Sequence, residues 1–324
     1  MSISVIIPVY NVSAYLRAGL DSLLAQTVKD WTAVCVDDGS TDGSGAILDE
    51  YAARDARIKV VHQTNGGPSS ARNAGIEASK GEIVLFMDPD DLVSHDWMAR
   101  LISGIDGVDF AWGGFALESA GLIETRLSHD VGETYIEEHV KDRVWRAVFG
   151  YQFRDLFKVF LPGGLWKSCR RELAGLWCRA FRRSVLGDLR FDESVWLYED
   201  SIFLAEYALR AKSMRVIGDT GYRYSIRPSG MMTSEARERM IQHRFELRDA
   251  RARIDPKKTA WRGSYVLAAL DVLRRGGWRL FWRFVSGKPC AEGPAGRRVS
   301  PERQRVAKRC PSRGTKGLST PFNF

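Results

Sequence analysis

The chain has 324 residues, 44% of them hydrophobic and 27% charged, enough to bury a core in one large domain or two modest ones. Its formal charge of +8 is concentrated: from Arg274 to Phe324, Lys and Arg face only Glu292 and Glu302, so the rest is net acidic and charge gives no support for nucleic-acid binding by the body. The five cysteines are scattered without a Cys-x-x-Cys pair, which argues against a zinc site or a disulfide framework and suits a reduced, cytoplasmic protein.

The N-terminus, MSISVIIPVYN, lacks the basic segment of a secretory signal and enters a strand at once, Ile3 to Val9. Ser13 is placed to cap a helix carrying Leu16, Leu20, Leu23 and Leu24 at helical spacing. Trp31 to Val36 reads as a second strand, ended by the polar, glycine-rich turn DDGSTDGSG. A helix over Ala46 to Ala53, a strand over Ile58 to Val61 and the loop NGGPSS follow. Ser69 or Ser70 then opens a helix through ARNAGIEAS, and a fourth strand covers Glu82 to Met87. Strands alternating with helices in this way predict a parallel sheet covered on both faces, a Rossmann-like α/β arrangement with ligands beyond the carboxyl ends of its strands.

Asp37, Asp38, Asp88, Asp90 and Asp91 all fall at those ends. Clustered carboxylates repel unless something neutralises them, and a hard divalent cation such as Mg²⁺ or Mn²⁺ does so with oxygen ligands and substrate phosphate. The competing reading is that Asp90 and Asp91 cap the helix leading to Trp97. Farther on, a strand at Phe110 to Leu117 is expected, then a charged, aromatic stretch to Lys167 with helical character. Past Glu199 and Asp200, Phe203, Leu204, Tyr207 and Ala208 share one helical face. The segment WRLFWRFV, 278 to 285, fits either a helix packed on the domain or a basic, aromatic helix in a membrane interface. No apolar run approaches the roughly 18 residues of a membrane span.

Five motifs occur in order: IPVYN at 7–11, VDDGSTDGS at 36–44, GGPSSARNAG at 66–75, FMDPDD at 86–91 and YED at 198–200. Together they resemble the inverting glycosyltransferases of family 2, which have the GT-A fold. The resemblance implies a catalytic domain over 1–232, with a nucleotide-binding half (1–107) and an acceptor-side half (108–232). A helical extension (233–286) and a basic, disordered tail (287–324) complete the expected organisation. It implies transfer of a hexosyl or hexosaminyl unit from a nucleotide-sugar, a UDP-sugar by family habit, to a glycan or lipid-linked acceptor, with possible peripheral contact at the inner face of the membrane.

The implied roles fall residue by residue. Pro8, Val9 and Tyr10 pack around the nucleotide base, and Asp37 and Asp38 accept hydrogen bonds from it. Arg72 faces the phosphates, and Asp88 and Pro89 contact the donor. Asp90, with Asp88, holds Mn²⁺ or Mg²⁺, while Asp91 supports them from behind. Asp200, with Glu199 beside it, is the carboxylate that takes the acceptor proton. On the residues alone, turn-making by Ser40 and Asp42 is favoured over ligand contact, while core for Tyr10 and a surface helix position for Arg72 are the lesser alternatives. Two departures stand out: WCRAFRR presents Trp177 and Arg179 where relatives carry a Trp-x-Lys pattern, and YRYSIRPSGMM alters the loop holding Arg227 and Ser229. Two other classes compete. A haloacid dehalogenase-like phosphatase would use an Asp-x-Asp motif at its first strand, and a GT-A-like nucleotidyltransferase would release pyrophosphate.

Overall fold

The computed structural model describes residues 1–119, 122–128, 130–149, 175–195 and 199–225, and beyond them 245–246, 248–249, 252–254 and 279–288. The first third alternates as its patterning predicts: β1 (Ile3–Val9), α1 (Ser13–Leu24), β2 (Trp31–Asp37), α2 (Ser44–Arg54), β3 (Ile58–His62), α3 (Pro68–Ala78) and β4 (Ile83–Phe86). Next come β5 (Leu92–Val93), α4 (Trp97–Ile105), β6 (Phe110–Ser119), β7 (Leu122–Arg126), β8 (Thr134–Ile136) and α5 (Glu138–Phe149). After 150–174, outside the described residues, the chain continues with β9 (Arg179–Arg182), α6 (Arg183–Leu186), α7 (Glu199–Ala208) and β10 (Ser213–Ser225).

These strands form one sheet in the order β3-β2-β1-β4-β9-β6-β10-β5, with β7 beside β6 and β8 beside β10. Pairing is parallel across β3, β2, β1 and β4. It turns antiparallel at β9, is parallel again between β6 and β10, and is antiparallel between β10 and β5. The expectation of a mostly parallel sheet therefore holds for the first half, and the second half is mixed.

Both faces of the sheet are buried, which is why β1 reads as a continuous apolar run. Val5, Ile7 and Val9 point into one core with Leu16, Leu20 and Leu23 of α1 and Trp97, Met98 and Leu101 of α4. Ile6 points into the other with Phe86, with Val140 and Val144 of α5, and with Phe203 and Leu204 of α7. Gly75 lets α3 close on this face, since a Cβ there would lie 2.4 Å from Ile6 Cγ2. The helical pieces near the end pack too: Leu280 and Phe284 of the helical residues 279–285 are buried, and Phe284 meets Phe245 edge to face at 5.2 Å.

Candidate active site

The parallel strands deliver their C-terminal ends to one edge, and the sequence-predicted residues gather there in two groups. The first is the turn after β2. Asp38, 2% exposed, accepts hydrogen bonds from Gln63 Nε2 (2.7 Å) and from the backbone N–H of Gly66 and Gly67 (2.8 Å each). It thereby ties the NGGPSS loop to the end of β2. Asp37 accepts from Ser40 N (3.0 Å) and pairs with His62 Nδ1 (2.9 Å), whose other ring nitrogen meets Asp49 (3.0 Å). Burial alone would raise the Asp37 pKa, but the Ser40 and His62 hydrogen bonds outweigh it and the net shift is downward.

Asp42 confirms the simple turn reading and corrects another. Ser13 does not cap α1. It is the first helical residue, and its N–H donates to Asp42 Oδ2 at 2.8 Å, while Val12 N donates to Ser44 Oγ at 3.0 Å. The helix start is thus capped from a turn about thirty residues away in sequence. Against the burial that would raise it, hydrogen bonds from Ser44 and Ser13 hold Asp42 at about 2. Tyr10 is not core: it directly follows β1 and is half exposed, at 50%. Pro8 is partly exposed. Val9 corrects its expected role at the base, because its side chain is fully buried in the core and its carbonyl already accepts Asp38 N at 2.8 Å.

The second group is the DPDD turn after β4. Asp90 and Asp91 do not cap α4, which opens at Trp97 with Asp96 in the capping position. Asp91, 1% exposed, accepts the Tyr222 hydroxyl on Oδ2 (2.8 Å) and Ser225 N on Oδ1 (2.9 Å). Asp88 N donates to the same Tyr222 hydroxyl at 3.0 Å. Pro89 is buried, its carbonyl lying against Gly19 of α1, and Asp90 is partly exposed. Burial, then the Asp88 charge, pushes Asp91 up to about 8. Burial also raises Asp88, whose carboxyl feels Asp90 and Glu199 as like charges.

Arg72 is neither a surface residue nor open to solvent. It is 9% exposed, and its guanidinium donates to Glu199 Oε1 at 2.7 Å and reaches Asp88 Oδ1 at 3.5 Å. This pair joins α3 to α7 and gives the Glu199 carboxylate a buried partner, Arg72, beside the position expected of the catalytic carboxylate. Asp200 follows at the start of α7, where Ser201 N donates to Oδ1 at 2.6 Å. Burial and the Glu199 charge raise Asp200 to about 7, a value suited to accepting a proton near neutrality. Tyr198, Arg227 and Ser229 lie outside the described residues. Arg179 is buried in β9 with its guanidinium 3.5 Å over Trp112, donating to Gly113 O at 2.7 Å.

The donor set fits a hard divalent cation. Asp88 feels Asp90 and Glu199, Asp91 feels Asp88 and Asp90, and Asp200 feels Glu199 and Asp88, while Arg72 is the cation shared by Asp88, Glu199 and Asp200. Among the described residues no three His, Cys, Asp or Glu groups form a closed metal cage. Mg²⁺ and Mn²⁺ need none, since one or two carboxylates with substrate phosphate and water complete their shell.

Sequence reasoning missed the aromatic wall behind this turn. Trp177 stacks on Tyr222 (4.7 Å, 12°) and on Tyr224 (5.3 Å, 17°), with Phe115 edge-on at 4.5 Å. Burial, then the charges of Asp88, Asp91, Asp90 and Asp200, raise Tyr224 to about 12, which puts its hydroxyl within electrostatic reach of that cluster. The available signal was the alternation of Tyr222 and Tyr224, which places both on one face of a strand.

A parallel βα half carrying the donor-side carboxylates, continued by a mixed half that supplies α7, defines a GT-A glycosyltransferase fold. The profile of "Glycosyl transferase family 2" matches residues 4–170, and the chain belongs to that family. It is 32% identical over 246 residues to an uncharacterized glycosyltransferase, EpsJ, of Bacillus subtilis, covering 74% of this chain and 66% of that protein. It is 34% identical over 233 residues to the glycosyltransferase GlyA of Streptococcus pneumoniae, covering 71% of this chain and 31% of that protein. This chain therefore spans less than two thirds of either relative. Among solved structures, S. aureus TarS 1–349 in complex with UDP-GlcNAc shares the fold at TM-score 0.59 and 20% identity, over 89% of this chain and 82% of that one. The Pyrobaculum calidifontis mannosyltransferase PcManGT, in complex with GDP-Man and Mn²⁺, does so at TM-score 0.51 and 16% identity, over 88% and 79%.

Proposed function

We propose that this protein is an inverting, metal-dependent glycosyltransferase that moves a sugar from a UDP-sugar to a hydroxyl of a glycan or lipid-linked acceptor. One observation carries the reading: Asp200 opens α7 directly after Glu199, which pairs with Arg72, and Arg72 in turn reaches Asp88 of the turn after β4, so a carboxylate stands beside the expected donor site. A direct displacement needs one such carboxylate and no covalent protein nucleophile. Asp200 takes the proton of the attacking hydroxyl, while Glu199 keeps Arg72 in place behind the donor. Tyr10 offers an exposed ring to the base, with Pro8, Asp37 and Asp38 forming the floor around it. Among the described residues the Asp38 carboxylate receives three hydrogen bonds, one fewer than its lone-pair sites can take. Asp88 and Asp90 would hold Mg²⁺ or Mn²⁺, which when bound supplies positive charge to the departing diphosphate. The complexes of TarS with UDP-GlcNAc and of PcManGT with GDP-Man and Mn²⁺ support this class of donor and a divalent metal.

The test is incubation with a panel of nucleotide-sugars and Mn²⁺, reading nucleoside diphosphate release and the anomeric configuration of the product by NMR. Pyrophosphate release from a nucleoside triphosphate, or a retained anomeric configuration, overturns the reading.

The proposal extends to a peripheral membrane contact through 278–285. Leu280 and Phe284 face the protein, while Arg279 and Trp282 (61%) are exposed. A cation beside an interfacial aromatic suits an anionic surface. Among the described residues no helix is long and apolar enough to cross a membrane. Salt-sensitive binding to anionic vesicles, lost on Trp282→Ala, is the expected result; equal binding by wild type and variant overturns it.

A further inference from the structure

We propose that Tyr222 is the positioning residue of the Asp88–Asp91 turn, its single hydroxyl fixing the Asp88 main chain and the Asp91 carboxylate together so that the turn is set to receive a divalent cation and a diphosphate. The inference rests on the glycosyltransferase reading for what the turn binds, and on geometry for how it is held.

The hydroxyl accepts the Asp88 N–H at 3.0 Å and donates to Asp91 Oδ2 at 2.8 Å. With Asp91 ionised the proton direction is fixed, because a backbone N–H can only donate and a phenol has one proton to give. Asp91 is held at its other oxygen by Ser225 N at 2.9 Å, so both clamps on this carboxylate come from β10, more than 130 residues away in sequence. The ring itself is immobilised. It is fully buried, stacked at 4.7 Å and 12° on Trp177, with Trp97 at 6.0 Å on a tilted contact. The backbone below it needs a glycine: Gly221 has φ +80, and a Cβ there would sit 1.8 Å from Ser94 Oγ. That close approach lets β5 pair with β10 in the register Tyr222↔Val93, and Gly221 O accepts Ser94 N at 2.8 Å.

A core position would be served by phenylalanine. The oxygen is the part of Tyr222 that touches the site, and it touches the turn at two points three residues apart. Losing it leaves a buried N–H and a buried carboxylate oxygen each short of a partner. Groups that orient metal ligands in this way typically change metal affinity 10- to 100-fold when removed.

The experiment compares wild type, Tyr222→Phe and Thr220→Val for Mn²⁺ binding in the presence of UDP, read by electron paramagnetic resonance, with folding followed by circular dichroism. Thr220→Val removes another buried hydroxyl from the same strand, one that donates to Gly114 O at 2.8 Å and meets the Tyr222 main-chain N–H only at 3.4 Å, without touching the turn. The expected result is similar thermal destabilisation of both variants, with Mn²⁺–UDP affinity about 10- to 100-fold weaker in Tyr222→Phe and unchanged in Thr220→Val. Equal affinity in Tyr222→Phe and wild type, or equal losses in both variants, overturns the proposal. Hydrogen exchange of the Asp88 amide in the wild-type protein gives a readout that depends on neither variant folding nor metal binding. Protection like that of β4 supports the clamp, and exchange at the rate of an open loop overturns it. A wild-type protein that binds no Mn²⁺ with UDP instead overturns the donor reading, while the amide still decides the clamp.

Discussion

Two clusters of aspartates lie at the same edge of one sheet, yet their electrostatics run in opposite directions. After β2, Asp37 and Asp42 are held below the usual carboxylate range because neighbouring N–H, hydroxyl and imidazole groups satisfy the ionised form. After β4 and at α7, Asp88, Asp91 and Asp200 are pushed upward, because burial and neighbouring carboxylate charges outweigh Arg72 at Asp88 and Asp200 and the Ser225 and Tyr222 hydrogen bonds at Asp91. The first cluster serves largely as mortar, joining the β2 turn to α1 and to the NGGPSS loop. The second holds unbalanced negative charge that a ligand cation can relieve. Acidic residues in a turn motif therefore carry no single meaning. What separates the two clusters is whether surrounding donors outweigh burial and like charge, as after β2, or fall short of them, as after β4 and at α7.

The sharpest way to break this comparison is at Asp90. Asp90→Ala is expected to abolish transfer and metal-dependent donor binding with little loss of folding. Full activity of the variant in metal-chelated buffer would place the cation elsewhere. Next comes Asp200→Asn, which keeps shape but removes the base; turnover should fall by about 10² to 10⁴. Donor affinity by calorimetry should change less than about threefold, because Asp200 meets the acceptor hydroxyl, and near-normal turnover with saturating acceptor sinks the assignment. In wild type, kcat/KM should rise with pH through about 7 as Asp200 loses its proton.

The third effect is one of stability. Asp91 and Asp200 have folded-state pKa values raised to about 8 and about 7, so between about pH 4 and 8 the folded protein binds more protons than the unfolded chain. Melting temperature without metal should therefore fall as pH rises across that window, and Mn²⁺ with UDP should flatten the slope. A metal-free protein that gains stability over the same range contradicts the unbalanced cluster. The smallest effect is expected from the other side: Asp42→Ala removes the acceptor for Ser13 N and should cost about 1 kcal/mol by chemical denaturation. Donor affinity should stay the same, and a matching loss of affinity would make Asp42 part of the site.

The linear chain determined a good deal. Short β-branched runs alternating with amphipathic helices fixed the parallel half, because period and burial are local properties of the sequence. The helix opening at Glu199 was legible for the same reason, and the order of five motifs was enough to point at the edge where Asp37, Asp38, Asp88, Asp90 and Asp200 converge. Strands β5, β7, β8 and β10 were not legible, since two of them are only two or three residues long and β10 is interrupted by register shifts at Val216 and Asp219. Only the tertiary structure decided which carboxylate is satisfied by what. Glu199 meets Arg72 across 127 residues, Ser13 meets Asp42 across 29, and Tyr222 reaches Asp91 across 131. A residue's type states what bonds it can make; which partner completes them depends on desolvation and on distances of about 3 Å, and the fold alone supplies both.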